Sequence, residues 1–184
     1  MFARNLMMAT LLVAASSCAS LAGAEELTLT SPDIAEGQAL DMAQVYEGFS
    51  CEGGNLSPQL SWSGAPEGTQ SFALTVYDPD APTGSGWWHW SVVNIPASER
   101  SIPAGASRTD EMPEGARELE NDFGTIGFGG ACPPPGKVHR YEFTLHALGT
   151  AQLDLPDGAS NALAGFMINA NTIDSAQITA VYTR

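Results

Sequence analysis

The sequence predicts a mainly β sandwich folded as one domain. Three observations predict it: separated stretches rich in β-branched and aromatic residues, 19 glycines and 12 prolines that break the chain at short intervals, and very little helical pattern. Many strands with little helix pack most simply as sheet on sheet. Leu27–Thr30 and Leu60–Trp62 read as short strands. Ser71–Tyr77 alternates Phe72, Leu74 and Val76 with smaller partners, and Trp87–Ile95 is apolar almost throughout, so the latter is expected to be covered on both faces. From Pro96 to Gly130 large apolar residues thin out and no period holds, which predicts irregular connections with one short strand pair. His139–Leu148 sets Tyr141, Phe143 and Leu145 on one face against Glu142, Thr144 and His146 on the other, which makes His146 a solvated residue. One or two short helices are expected near the C-terminus, the clearer one capped by Asp157 and carrying Ala159, Leu163, Phe166 and Met167. A last strand covers Gln177–Thr183.

The N-terminus follows a different plan. Arg4, an apolar run from Leu6 to Ala15 and small residues up to Ala22-Gly23-Ala24 match a secretory leader cleaved after Ala24, since the apolar part is too short to cross a bilayer. A rival reading makes Cys18 the lipid-bearing cysteine of a lipoprotein, although Ala15 stands where that signal usually has leucine. The organisation is then a leader over residues 1–24 and one domain over residues 25–184, periplasmic or secreted, with no further apolar run long enough to span a membrane. Of the seven basic residues only Arg4 leaves with the leader, so six face 21 acidic residues and the mature chain carries a net charge of −15. Such a surface repels phosphate backbones and anionic bilayers, which argues against nucleic acid and bulk membrane as partners and requires any anion to be held in a local pocket. Cys51 and Cys132 remain after cleavage. An even pair in an oxidising compartment is most simply a disulfide; the alternative is a reactive or metal-binding thiol, for which no neighbouring Cys or His stands at zinc-ligand spacing.

Three stretches hold the residues able to do chemistry. Asp78-Pro79-Asp80-Ala81-Pro82 puts two carboxylates at the end of a strand, either facing a ligand or accepting backbone N–H bonds in a proline-stiffened turn, with Ala81-Pro82 a candidate cis peptide. Gly86-Trp87-Trp88-His89-Trp90 sets an imidazole among indoles, where burial lowers its pKa and each ring nitrogen needs a partner. Gly129-Gly130-Ala131-Cys132-Pro133-Pro134-Pro135-Gly136 leads into His139-Arg140-Tyr141, where a second imidazole and a phenol share one strand face beside a loop whose amides are free to bind oxygens. Ser57, Ser71 and Ser85 lie in no G-x-S-x-G setting, so a hydrolase nucleophile elbow is absent.

These three stretches, in this order, resemble the signature elements of the phosphatidylethanolamine-binding proteins, also called Raf kinase inhibitor proteins. Gly53-Gly54-Asn55-Leu56-Ser57-Pro58, Trp62, Gly68-Thr69, Pro82 through Trp90 and Asn121-Asp122-Phe123-Gly124 extend the resemblance over nearly the whole mature chain. The longer pattern is similar to the bacterial YbhB/YbcL-type branch, and the leader together with Cys51 and Cys132 to its exported YbcL-like members. The resemblance implies a large central antiparallel sheet packed on a smaller one. It also implies a small pocket for phosphate, acetate or a phosphoethanolamine head, formed by Asp78, His89, His139 and Tyr141 with Asp80, Gly130 and Pro133 at its edge, and no cofactor. Eukaryotic relatives typically have a second histidine in the strand and a longer C-terminal helix. Here the strand reads Trp88-His89-Trp90 and the chain stops soon after Val181-Tyr182, which puts kinase regulation in doubt.

Three function classes follow. The first is a binding module for a small anion, tightening as pH falls into the histidine range. The second is a metal-dependent hydrolase or oxygenase with His89, His139 and Asp78 as a 2-His-1-carboxylate site, against which stands the absence of any H-x-E or H-E-x-x-H spacing. The third is an inhibitor or modulator of a partner protein acting through surface loops, with homodimerisation resting on family analogy alone.

Overall fold

The computed structural model describes residues 26–184. The expected leader, its cleavage site and the alternative at Cys18 lie outside the described residues. Three sheets form. The largest has five antiparallel strands in the order β10-β9-β5-β6-β8, and comprises β5 (Ser71–Asp78), β6 (Trp87–Pro96), β8 (Arg117–Glu118), β9 (His139–Leu148) and β10 (Thr172–Tyr182). A three-stranded sheet runs β1 (Thr28–Thr30), β4 (Leu60–Ser63), β7 (Ser101–Ile102), and β2 (Glu47–Gly48) pairs with β3 (Cys51–Glu52) in a hairpin.

The two larger sheets pack face to face. Leu29, Leu60, Trp62 and Ile102 from the small sheet meet Phe72, Leu74, Val76, Trp90, Val92, Phe143 and Leu145 from the large one in a single buried core. The period-two pattern of β5 and β9 produces this, because every second side chain points inward. The outer face of the large sheet is covered in part by helix α1 (Asn161–Asn171), whose Ala164 and Ile168 pack with Ala73, Val93 and Leu148 in a second cluster. β6 lies between the two clusters, and its central residues His89–Val93 are buried on both faces, as its continuous apolar run predicts.

The sequence expectations need four corrections. The α1 cap is Ser160, whose hydroxyl accepts from the Leu163 amide, so the helix starts after the Asp157-Gly158 turn rather than at Asp157. The last strand begins directly after α1 at Thr172, five residues earlier than its apolar pattern indicated, because the first half of β10 presents polar residues on an edge strand. Between Pro96 and Gly130 the two short strands do not pair with each other; β7 joins β4 and β8 joins β6. No cis peptide bond occurs among the described residues, Ala81-Pro82 included.

β6 carries two bulges. The register steps from Val76↔Trp90 to Tyr77↔Trp88, leaving His89 as the extra residue, and from Phe72↔Ile95 to Leu74↔Val92, beside Asn94 at φ 59°. A bulge re-aims the side chain at its kink. His89 therefore faces the same side as Trp90 and Trp87, while Trp88 faces the opposite side.

Cys51 and Cys132 form a disulfide across a sequence separation of 81 residues, tying the β2–β3 hairpin to the segment that follows Gly129-Gly130. Closing a loop of this length restricts the unfolded chain strongly. We expect reduction, or the Cys51→Ser/Cys132→Ser double variant, to lower stability by about 2–4 kcal/mol, read as a fall in the denaturant midpoint with a slope that rises as the unfolded chain expands. An unshifted midpoint refutes that role for the bridge.

Candidate functional site

The end of β5 and the start of β9 are neighbours in the large sheet, and the Asp-Pro-Asp turn fastens them. Asp78 Oδ2 lies 2.7 Å from His139 Nδ1 with both side chains buried. Its other oxygen accepts the Asp80 amide at 2.8 Å, which makes the turn a side-chain-stabilised one. Asp80 points the other way and clamps Arg140, accepting from Nε and Nη2 at 2.9 Å each and from the Arg140 amide at 3.0 Å. The Arg140 fork is the main reason the Asp80 carboxyl titrates at about 2. The aspartates thus act as turn formers and as strand fasteners at once.

Across the sheet, the β6 bulge delivers His89 into the same space. Its Nδ1–H donates to the Gly129 carbonyl at 2.7 Å, and its ring meets the Tyr141 ring edge-on at 5.1 Å between centroids. Burial is the main cause that pushes the His89 pKa below its ordinary 6.5, so the ring is neutral near pH 7. A carbonyl and a carboxylate can only accept, so Nδ1 carries a proton in both rings. The Nε2 of neutral His89 then holds a lone pair, and neither Nε2 has a protein partner among the described residues. Two more polar atoms here are buried without a partner, the Tyr141 hydroxyl and the Trp87 indole N–H. Burial holds the Tyr141 phenol well above its usual range, so it stays a hydroxyl.

These groups line a cavity of about 170 Å³ that opens to solvent. That is smaller than the roughly 300–1,000 Å³ typical for a drug-sized ligand and suits a head group. Its wall is otherwise apolar, with Pro82, Pro133 and Pro134 on one side and an aromatic rim on the other. In the rim, Tyr46 stacks on Phe123 at 4.0 Å, Phe49 packs against both, and Trp87 meets Phe123 at 5.1 Å. Phe49 and Ser50 form the two-residue tip of the β2–β3 hairpin with φ of 48° and 65°, a left-handed pair that normally selects Asn-Gly. The strained tip is held by the adjacent disulfide and by Arg184, which donates to the carbonyls of Phe49 at 3.2 Å and Ser50 at 3.1 Å.

A family model described as phosphatidylethanolamine-binding protein matches residues 30–183. The chain belongs to the phosphatidylethanolamine-binding protein family. Among its relatives, the UPF0098 protein YbcL of Escherichia coli is 56% identical over 164 residues, covering 88% of this chain and 90% of that protein. Its crystal structure superposes with a TM-score of 0.84 over 86% of this chain and 99% of the other. The UPF0098 protein YbhB of the same organism is 47% identical over 158 residues, 85% of this chain and all of that one. A putative lipoprotein, LppC of Mycobacterium tuberculosis, is 41% identical over 143 residues, 77% of this chain and 64% of its own. The mainly β architecture and the YbhB/YbcL-type resemblance read from the sequence are therefore borne out.

Of the residues carried over from the family resemblance, Asp78, His89, His139, Tyr141 and Pro133 line the cavity. Asp80 does not, being turned toward Arg140. Gly130 does not either: its amide donates to Asn55 Oδ1 at 2.7 Å, and a Cβ there would lie 2.4 Å from the Gln44 carbonyl oxygen. The pair is small because a Cβ on Gly129 would strike the Phe123 ring at 2.5 Å and one on Gly130 the backbone of residues 44–46, and the Gly129 and Ala131 amides are likewise bonded, to His89 and Gln44. The loop thus supplies a carbonyl to His89 rather than free amides. Asp78 already turns one oxygen to His139 and the other to the Asp80 amide, and among the described residues no group of three or more His, Cys, Asp or Glu side chains is placed to hold a metal ion. Trp87, Phe123 and Phe49 were missed; only the position of Trp87 two residues before His89 carried a signal for them.

His146 is also not the solvated residue its position suggested. It lies half-buried on the outer face of the large sheet, 3.3 Å from the Thr75 hydroxyl, and burial lowers its pKa to about 4. For a base whose folded pKa is lowered, the unfolded chain binds the proton more readily, so stability is full above about pH 6.5 and falls as pH drops below it. His89 acts with the same sign. We expect stability to decline from about pH 6.5 toward pH 4, with His146 contributing at most about 3 kcal/mol. Urea midpoints for wild type and His146→Gln across that window measure it: the variant should lose part of the slope, and identical slopes overturn the assignment.

Proposed function

We propose that the protein is an exported binding protein that holds a phosphate-like or phosphoethanolamine-like head group in the cavity between His89 and His139. One observation carries the reading: two imidazoles far apart in the chain share one open cavity, each with Nδ1 fixed by an acceptor behind it and Nε2 left without a partner. In neutral form these nitrogens accept from a ligand O–H or N–H; once protonated they donate to an oxyanion, alongside the Tyr141 hydroxyl and the Trp87 indole N–H. Among the described residues no lysine or arginine lines the cavity, so the positive charge for an anion comes from the imidazoles themselves. The apolar wall and aromatic rim accommodate the carbon part of such a ligand.

Export rests on the leader-like N-terminus, on the disulfide, and on the lipoprotein description of the relative LppC. Release as a cleaved protein after Ala24, rather than lipid attachment at Cys18, remains part of this proposal. No helix among the described residues is long and apolar enough to cross a membrane. The same aromatic rim, with Phe49 68% exposed at its tip, favours a second reading in which a partner protein docks over the mouth of the cavity.

A bound anion raises the imidazole pKa, so binding takes up a proton and affinity increases as pH falls through the bound-state value. We expect calorimetric titration with a phosphomonoester, and with sulfate to hold the ligand charge constant, to show affinity rising from about pH 8 to about pH 5.5. His139→Ala should weaken binding by about tenfold or more, since a charge-assisted hydrogen bond is lost. Equal affinity of wild type and His139→Ala removes the claim.

A further inference from the structure

A second cleft, of about 230 Å³, lies on the opposite face of the large sheet. Strand alternation creates it from the neighbours of the residues already described. Asp78, His89 and Tyr141 face the first cavity, while Tyr77, Trp88 and Glu142, each one residue away, face the second. The latter three sit in one cross-strand row, with Tyr77 paired to Trp88 on one side and to Glu142 on the other. The Tyr77 and Trp88 rings lie 4.6 Å apart.

The Glu142 carboxylate is under-satisfied. Its side chain is 27% exposed, and it makes no hydrogen bond among the described residues. It is ion-paired with Arg140 at 3.8 Å, loosely because Asp80 holds that guanidinium in a two-pronged grip. Helix α1 keeps the cleft open at Gly165, where an added Cβ would meet the Trp88 ring at 3.7 Å. Glycine in a helix interior is destabilising relative to alanine, and here it leaves unfilled the space that a side chain would occupy.

We propose that this outer cleft binds a small organic ammonium ion, seated against the Tyr77 and Trp88 rings and paired with the Glu142 carboxylate. A carboxylate beside aromatic faces is the chemistry that recognises alkylammonium groups. The net negative chain draws cations toward it. His146 borders the site, and of the groups around it Glu142 and Tyr77 titrate, α1 carries no charged residue, the facing part of β10 offers Ser175 and Gln177, and Asp174 lies one residue beyond. Protonating His146 sets a positive charge beside the bound cation and weakens it. Acidification therefore acts on the two cavities with opposite sign.

The test is a titration of the described domain with tetramethylammonium chloride at constant ionic strength, followed by amide chemical shifts. Saturable shifts confined to Tyr77, Trp88, Glu142 and His146 are expected, with Glu142→Gln weakening affinity about tenfold. Trp88→Leu, or Gly165→Leu to fill the cleft, repeats the loss if Glu142→Gln folds poorly. Affinity should also fall as pH drops through about 4, where His146 takes up its proton in the folded chain. Shifts spread over the acidic surface, shifts centred on His139, or unweakened binding by Glu142→Gln and Trp88→Leu each overturn the proposal.

Discussion

The buried contact between Asp78 and His139 is the constraint on which the rest of the site depends. It joins the end of β5 to the start of β9 beside the first cavity, and it fixes which imidazole nitrogen is left for a ligand. A buried pair of this kind contributes little to net stability, because desolvation offsets its attraction, but losing either partner strands the other in a dry site. Its value is geometric. The same carboxylate closes the Asp-Pro-Asp turn, and the turn brings Asp80 onto Arg140, so one loop sets the imidazole, the strand register and the position of the nearest guanidinium.

The sandwich was legible because its determinants are local and periodic. β5 and β9 alternate cleanly, β6 is apolar throughout, and each was placed within one or two residues. What escaped were features that depend on contacts distant in sequence. The first half of β10 is polar and becomes a strand only because β9 offers it a partner. The helix starts at Ser160 rather than Asp157 because Gly158, at φ 70°, turns the chain before any helical bond forms.

The site was legible to the same degree and for a different reason. The family resemblance named Asp78, His89, His139 and Tyr141, while strand alternation alone, without the bulge, would set His89 on the face away from Trp90. The extra residue in β6 reverses that parity, and no propensity announces it. Gly129-Gly130 misled in the opposite way. A glycine-rich loop suggests free amides for an anion, but Gly129 is small because the Phe123 ring lies against it and Gly130 because the backbone of residues 44–46 does, and their amides are already bonded. The rim aromatics Phe49 and Phe123 come from segments with no strand or helix pattern, and only the disulfide and the left-handed hairpin tip set Phe49 at the mouth.

The large sheet is then a partition with different electrostatics on its two sides. On the inner side the polar groups are imidazole, phenol, indole and the Asp78 carboxylate, and among the described residues no lysine or arginine lines it, because strand alternation turns Arg140, between His139 and Tyr141, to the other face. On the outer side Glu142 meets that guanidinium only at 3.8 Å, because Asp80 grips it. One clamp, Asp80 on Arg140, therefore shapes the outer face: it leaves Glu142 with a loose ion pair and no hydrogen bond. A chain with so large an excess of acidic residues would repel an anion from any permanently solvated surface. On the binding reading proposed above, a cavity that draws its positive charge from imidazole avoids burying a fixed cation, and the Asp78 carboxylate stands directly behind the His139 ring.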